Sequence, residues 1–295
     1  MISPKPIPIA DPRVCRPRRK PVTVAIGIPY DEGIVFCADT KVMYTIKGNE
    51  SKLPFYSFAD GRCALLFAIS SDDINFPKAA IARCVEMVEK TDFTTATIDS
   101  VSDTVEFALA EFYRDHIYPH PDRAPGQVYM QMLIGIWLKN QTRLYSMHET
   151  VLRLVEEYEC IGAGEYLSKY LMKQYKLANQ EPFTLADAAL MATCCVEEAI
   201  DYDEKCGGEA EIVIMRNDGE ISNGHRTSLY PNYKLPGVFR SEVWRLLHGL
   251  AVAQMSSEAN VVAPGLVEGF CERIREAEAE SRKWHSGSLP ESTEE

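Results

Sequence analysis

Positive charge is scarce in this sequence. Its 295 residues carry a formal net charge of −12, which leaves no overall basic surface to draw nucleic acid or anionic lipid, so neither is an expected partner. Long apolar runs are missing too, none approaching the roughly 20 residues of a membrane-spanning helix. Nine cysteines are present (Cys15, Cys37, Cys63, Cys84, Cys160, Cys194, Cys195, Cys206 and Cys271), but no Cys-x-x-Cys pair occurs among them. Without ligand spacing a zinc site is not expected. Most of these cysteines lie inside apolar stretches, the pattern of buried reduced thiols in a cytosolic protein. No repeat at solenoid spacing is visible and no Pro/Gly linker divides the chain after residue 23, which argues for one domain.

What is there begins with an unusual N-terminus. Arg16, Arg18, Arg19 and Lys20 stand among Pro4, Pro6, Pro8, Pro12, Pro17 and Pro21, a composition suited to an extended, solvated tail. The tail lacks the continuous apolar stretch of a signal peptide. Beyond it, a chain that is 46 % hydrophobic has ample material for a full core.

Residues 23–29 and 34–38 are apolar runs joined by Tyr30, Asp31, Glu32 and Gly33, the signature of a hairpin. A second pair of strands is expected around 53–58 and 63–69, separated by a turn containing Asp60 and Gly61. The period then changes: Ile81, Cys84, Val85 and Val88, followed by Val101, Val105, Leu109 and Phe112, predict two helices. Residues 128–138 predict a strand, 139–142 a turn, 143–147 its partner, and 151–160 one further strand. After the break at Gly162-Ala163-Gly164, Tyr166, Leu167, Tyr170, Leu171 and Tyr175 mark one helix face. Thr184 is the expected N-cap of a helix over 185–202, with Asp187 stabilising its first turn. A last hairpin is expected from 210–215 and 220–222, then helical content over 238–254 and 264–281 and a frayed Ser/Glu-rich end over 282–295. Strands, helix pair, strands, helix pair, strands: this order implies an α+β domain of two packed sheets covered by helices. The segment from Asp115 through His116, Tyr118 and His120 to Asp122 has metal-ligating residue types. Pro119 and Pro121 deny it helical ligand spacing, so a solvated loop is expected there.

Four stretches in order resemble the proteasome β-type subunits and the related bacterial ring protease, which are N-terminal nucleophile hydrolases. The first is Thr23-Val24-Ala25-Ile26-Gly27, leading through Gly33 to Asp39, sixteen positions after Thr23. The second runs from Ile46 through Lys47 and Gly48 to Lys52 and Leu53. The third is Cys160-Ile161-Gly162-Ala163-Gly164, and the fourth is Asp203-Glu204-Lys205-Cys206-Gly207-Gly208. The resemblance covers residues 23–225 and implies a four-layer αββα sandwich with the domain at 23–281. It also implies a threonine nucleophile at Thr23, a strand bearing Lys52, and Asp39 holding that lysine. An oxyanion donor is implied at the backbone of Ile69, with Ala163, Asp203 and Cys206 supporting the amino terminus. No metal or organic cofactor is implied. A peptide or other amide substrate, a ring of identical copies in the cytoplasm and an unfoldase partner follow as expectations.

The chemistry fits those residue types. A threonine hydroxyl needs a base, and a free α-amino group on Thr23, with a reference pKa of about 7.7–8.0, would be one attached to the nucleophile itself. An ammonium on Lys52 would favour the neutral amine, or a neutral Lys52 would relay the proton. Several positions depart from the family. Val22 stands where cleavage normally follows glycine, Ala163 and Cys206 replace serines, and Ile69 stands where a glycine is expected at the oxyanion site. The expectation is that residues 1–22 are processed away, or that translation begins at Val22. The alternatives are a catalytically silent structural subunit and an amidase acting on a small non-peptide amide.

Overall fold

A computed structural model describes residues 23–43, 47–119, 129–178 and 181–223, together with helical positions 268, 269 and 272. The expected tail over 1–22, most of the expected helices over 238–254 and 264–281, the C-terminal end and positions 120–122 lie outside the described residues.

Strands β1 (Val24–Tyr30) and β2 (Gly33–Asp39) form the expected hairpin, closed by a two-residue turn at Asp31 and Glu32. Gly33 is required at that corner, because a Cβ there would stand 2.2 Å from the Met215 carbonyl oxygen. Three-residue strands β3 (Lys41–Met43) and β4 (Lys47–Asn49) follow as a separate ribbon. Then come β5 (Phe55–Phe58), β6 (Cys63–Ser71) and the helices α1 (Asn75–Glu89) and α2 (Ile98–His116). Next are β7 (Met130–Leu138), β8 (Gln141–His148), β9 (Val151–Val155) and β10 (Glu159–Gly162). Helices α3 (Glu165–Ala178) and α4 (Leu185–Tyr202) and strands β11 (Ala210–Arg216) and β12 (Ile221–Asn223) complete the order.

The strands make two five-stranded antiparallel sheets, β10-β1-β2-β11-β12 and β5-β6-β7-β8-β9. One apolar cluster lies between β6/β7 and the helices α1 and α2, and a second between β1/β2/β11 and α4. A third, containing Ala25, Phe36, Ala38, Leu66, Ala68, Leu133 and Ile161, fills the space between the sheets. Alternation along each strand supplies one face to the helices and one to the opposite sheet, and the result is the αββα sandwich. At the turn end the sheets are stitched by Trp137 Nε1, which donates to the Asn217 carbonyl at 2.7 Å, and by Thr142 Oγ1, 2.8 Å from Asn217 Oδ1.

Five local expectations change. Asp115 and His116, expected in a solvated loop, form the last turn of α2. The stretch 151–160 is two strands on different sheets, because the chain crosses from β8's edge to β1's edge through the bend at Glu156 and Glu157. The β7/β8 turn is only Lys139 and Asn140, both at positive φ (50° and 63°), which suits the twist of a tight hairpin. Tyr166 and Tyr170 do not share the buried face of α3: they are exposed, and Leu171, Met172 and Tyr175 pack inward. Lys52 lies in the bend between β4 and β5 rather than on a strand. The α4 cap is as expected, Thr184 and Asp187 forming a reciprocal capping box.

Candidate active site

Thr23 stands immediately before β1, and the hairpin register carries it beside the end of β2, where Asp39 pairs with Ala210 of β11. The bend after β4 brings Lys52 to the same point. Lys52 Nζ lies 2.8 Å from Thr23 Oγ1 and 2.8 Å from Asp39 Oδ1. Thr23 is 2 % exposed, Lys52 2 % and Asp39 0 %, so the ion pair is wholly withdrawn from water. Burial pulls the Lys52 ammonium below the ordinary lysine range, and Asp39 opposes that shift through charge and hydrogen bond. Burying such a pair costs several kcal/mol, of order, in desolvation before geometry repays it. A lysine held between a carboxylate and a hydroxyl at that cost is a candidate for function.

Asp39 is held from two sides. Its Oδ1 also accepts the Val24 N–H at 3.0 Å, and its Oδ2 accepts the Gly207 N–H at 3.0 Å. Gly207 is delivered by the α4–β11 connection, in which the Asp203 carbonyl accepts the Cys206 N–H at 2.9 Å and Asp203 Oδ1 accepts the Lys205 N–H at 3.0 Å. Lys41 clamps this loop: its Nζ donates to the carbonyls of Glu204 and Cys206, and its N–H to the Gly207 carbonyl at 2.9 Å. Asp203 and Cys206 therefore reach the centre through Asp39 and the loop backbone, not by a hydrogen bond to Thr23. Burial raises the Cys206 thiol to about 12, with Asp39 and Asp203 adding to the rise, so it stays a neutral packing group.

The Thr23 carbonyl is gripped by the turn after β10. Ala163 N–H donates to it at 2.6 Å. Gly162 sits at φ +97°, and a Cβ there would stand 2.2 Å from that carbonyl oxygen, so only glycine allows the approach. The Ala163 contact is made by backbone, and the missing hydroxyl does not weaken it.

Ile69 does not fit its expected part. Its N–H donates to the Lys52 carbonyl at 3.2 Å, and its side chain belongs to the cluster under α1 and α2. The next residue, Ser70, presents the face that looks across to the other sheet, where its Oγ lies against Gly162. Sequence reasoning missed Ser70, Lys41 and Gln131. Gln131 Oε1 accepts the Gly162 N–H at 2.9 Å and the Tyr129 hydroxyl. Chain separation hides these partners, Lys41 lying more than 160 positions from the carbonyls it holds.

Among the described residues no group of three or more His, Cys, Asp or Glu could hold a metal ion, and no helix is long and apolar enough to cross a membrane. At the other end of β1, roughly 20 Å away at strand rise, a cleft of about 340 Å³ opens between Tyr30, Ile34, Thr142 and Val155. It shares no residue with the Thr23 centre.

The sequence profile of the proteasome subunit family matches residues 22–215, well over half of the chain. The chain belongs to the proteasome subunit family. No curated protein sequence matches it. Solved structures share the proteasome fold at low identity. Anbu, described as an ancestral beta-subunit, from Yersinia bercovieri is 12 % identical with a TM-score of 0.61, covering 77 % of this chain and 96 % of that one. Anbu from Hyphomicrobium sp. strain MC1 is 16 % identical with a TM-score of 0.60 over 77 % and 97 %. Anbu from Pseudomonas aeruginosa, described as a helical assembly, is 11 % identical with a TM-score of 0.60 over 77 % and 96 %. At such identities the likeness to these proteasome relatives is one of fold.

Proposed function

We propose that this proteasome-family chain is a threonine-type amidohydrolase, a peptidase, acting through Thr23 once residues 1–22 are gone. The observation that carries the reading is the single ammonium 2.8 Å from both Thr23 Oγ1 and Asp39 Oδ1. In this reading Thr23 Oγ1 adds to the substrate carbonyl and its proton passes to the freed α-amino group. Lys52 keeps that amine neutral by its charge and stabilises the developing alkoxide. The leaving amine takes the proton, and water then hydrolyses the threonyl ester. Asp39 orients Lys52, and the 203–208 loop orients Asp39. Residues 23–281 form the working domain, flanked by two tails. The buried thiols suit a reducing cytosol, and copies of the chain assemble with one another, as the helical assembly described for the Pseudomonas aeruginosa relative suggests.

One observation favours a second reading, a silent structural subunit: Val22 precedes Thr23, and a β-branched residue there hinders the strained geometry of self-cleavage. Intact mass of protein from the native host, followed by an electrophile specific for N-terminal threonine, separates the two. The peptidase reading expects a mass beginning at Thr23 and labelling that Thr23→Ala abolishes. A mass that retains residues 1–22, with no labelling, establishes the silent subunit.

A further inference from the structure

Ser70 is 1 % exposed, and its Oγ has no hydrogen-bond partner among the described residues. It lies at the end of β6, opposite Gln131 of β7, on the same side of the strand as Ala68, which packs between the sheets. The place a Gly162 Cβ would occupy is 2.9 Å from Ser70 Oγ and 2.2 Å from the Thr23 carbonyl oxygen. The hydroxyl and the Thr23 backbone thus meet across the bare Cα of Gly162. A buried hydroxyl without a partner is unfavourable for folding, and its persistence beside a reactive centre calls for an explanation in chemistry.

The Asp39 and Gln131 acceptors beside Thr23 are taken. Asp39 Oδ1 receives Val24 N–H and Lys52, and Oδ2 receives Gly207 N–H. Gln131 Oε1 receives Gly162 N–H and the Tyr129 hydroxyl. Ala163 has no polar side chain, and the Cys206 thiol is a weak acceptor.

We propose that Ser70 is a positioning residue whose Oγ accepts a hydrogen bond from the freed α-amino group of Thr23, turning the amine's lone pair toward Thr23 Oγ1. This rests on the reading of Thr23 as the nucleophile. The titratable groups around Thr23 are Lys52 from the bend before β5 and Asp39 from β2, with Lys41 and, on the α4–β11 loop, Asp203 and the Cys206 thiol beyond them. Accepting from the ammonium favours the charged form, so removing Ser70 Oγ lowers the pH at which the amine becomes free.

The test uses the full chain with a site-specific protease sequence in place of residues 17–22, cut after folding so that maturation does not depend on Ser70. Labelling by a peptide epoxyketone, which bonds both hydroxyl and amine of an N-terminal threonine, is followed by mass across pH for wild type and Ser70→Ala. Thermal melting is measured in parallel. The expected result is labelling of Ser70→Ala about tenfold slower at its plateau, a midpoint moved to lower pH, and a melting temperature equal to or above wild type, because an unpartnered buried hydroxyl has been removed. Equal rates and midpoints overturn the proposal while leaving Thr23 as nucleophile. A lowered melting temperature together with slower labelling also overturns it, showing Ser70 to be structural. A wild type that does not label sinks the reading of Thr23 and this proposal with it.

Discussion

Replacing Lys52 by methionine leaves Asp39 as a carboxylate at 0 % exposure with, among the described residues, only the Val24 and Gly207 N–H groups to hold it. Breaking a buried pair from one side costs about 3–5 kcal/mol, because the surviving charge is uncompensated. Asp39→Asn strands Lys52 instead. That lysine can shed its proton, and doing so at pH 7 from an unfolded value near 10.4 costs about 1.4 kcal/mol per unit, roughly 5 kcal/mol in total, which caps the damage. The double variant Asp39→Asn/Lys52→Met has no buried charge to strand, so the losses should not add: a coupling of about 2–4 kcal/mol is expected. Urea unfolding of the four proteins at pH 7 measures it. The pH dependence supplies a signed check. Lys52 already has a folded pKa lowered by burial, so between its folded and unfolded values the unfolded chain binds more protons and stability rises with pH. Without Asp39 the folded value drops further and this rise begins at lower pH, so Asp39→Asn should regain stability on going from pH 7 toward pH 10. Lys52→Met should not regain it. Losses that add within about 0.5 kcal/mol refute the coupling between Asp39 and Lys52.

Gly162→Ala places a Cβ 2.2 Å from the Thr23 carbonyl oxygen at φ +97°. We expect a loss of about 3 kcal/mol in urea unfolding together with loss of threonine-directed labelling, whereas wild-type labelling in this variant would mean that the turn does not set Thr23. Thr184→Ala removes a capping box far from the centre and should cost about 1 kcal/mol with no change in labelling rate. The buried thiols Cys63, Cys84 and Cys206 have pKa values raised to about 12 by burial. For an acid whose folded value is raised, the folded state holds its proton while the unfolded thiol, near 9, lets go. Their stabilisation is therefore intact below pH 9 and is lost between about 9 and 12, and circular dichroism during alkaline titration should show unfolding in that window. The triple Ala variant should shift that transition to higher pH.

Much of the fold was legible because each layer has its own period. The β1/β2 hairpin, the paired helices α1/α2 and the capped α4 announce themselves through apolar runs around a Gly-containing turn, helical spacing and a Thr-x-x-Asp cap. Apolar content is a weaker guide where a segment changes sheets. Residues 151–160 read as one strand because nothing local records that Val151–Val155 pairs with β8 while Glu159–Gly162 pairs with β1. The Tyr166 and Tyr170 misreading has the same root: aromatic residues at helical spacing state a period but not which side of the helix meets the core. At the site, Thr23, Asp39 and Lys52 came from spacing and resemblance, and the structure brings the three together. Ile69 has its N–H on the Lys52 carbonyl and its side chain under α1 and α2, while Ser70 beside it faces the other sheet. Side chains alternate with a period of two along a strand, so a shift of one residue exchanges the helix-facing side for the site-facing side. The connection before Lys52 is a few residues shorter than the family pattern, and spacing alone could not fix β6 to the residue.

The departures from the family fall mostly where backbone carries the contact. The Ala163 N–H holds the Thr23 carbonyl whatever the side chain is. Cys206 serves the centre through its carbonyl, held by Lys41, and through the neighbouring Gly207 N–H on Asp39. A serine's hydroxyl is dispensable for both contacts, so alanine and cysteine keep the geometry while removing polar groups that would otherwise need partners. The hydroxyl missing from the β10 turn has a counterpart across the inter-sheet space at Ser70, against the same glycine. On the proposed role of Ser70, the hydroxyl beside Thr23 comes from the end of β6, and the turn after β10 contributes its backbone alone.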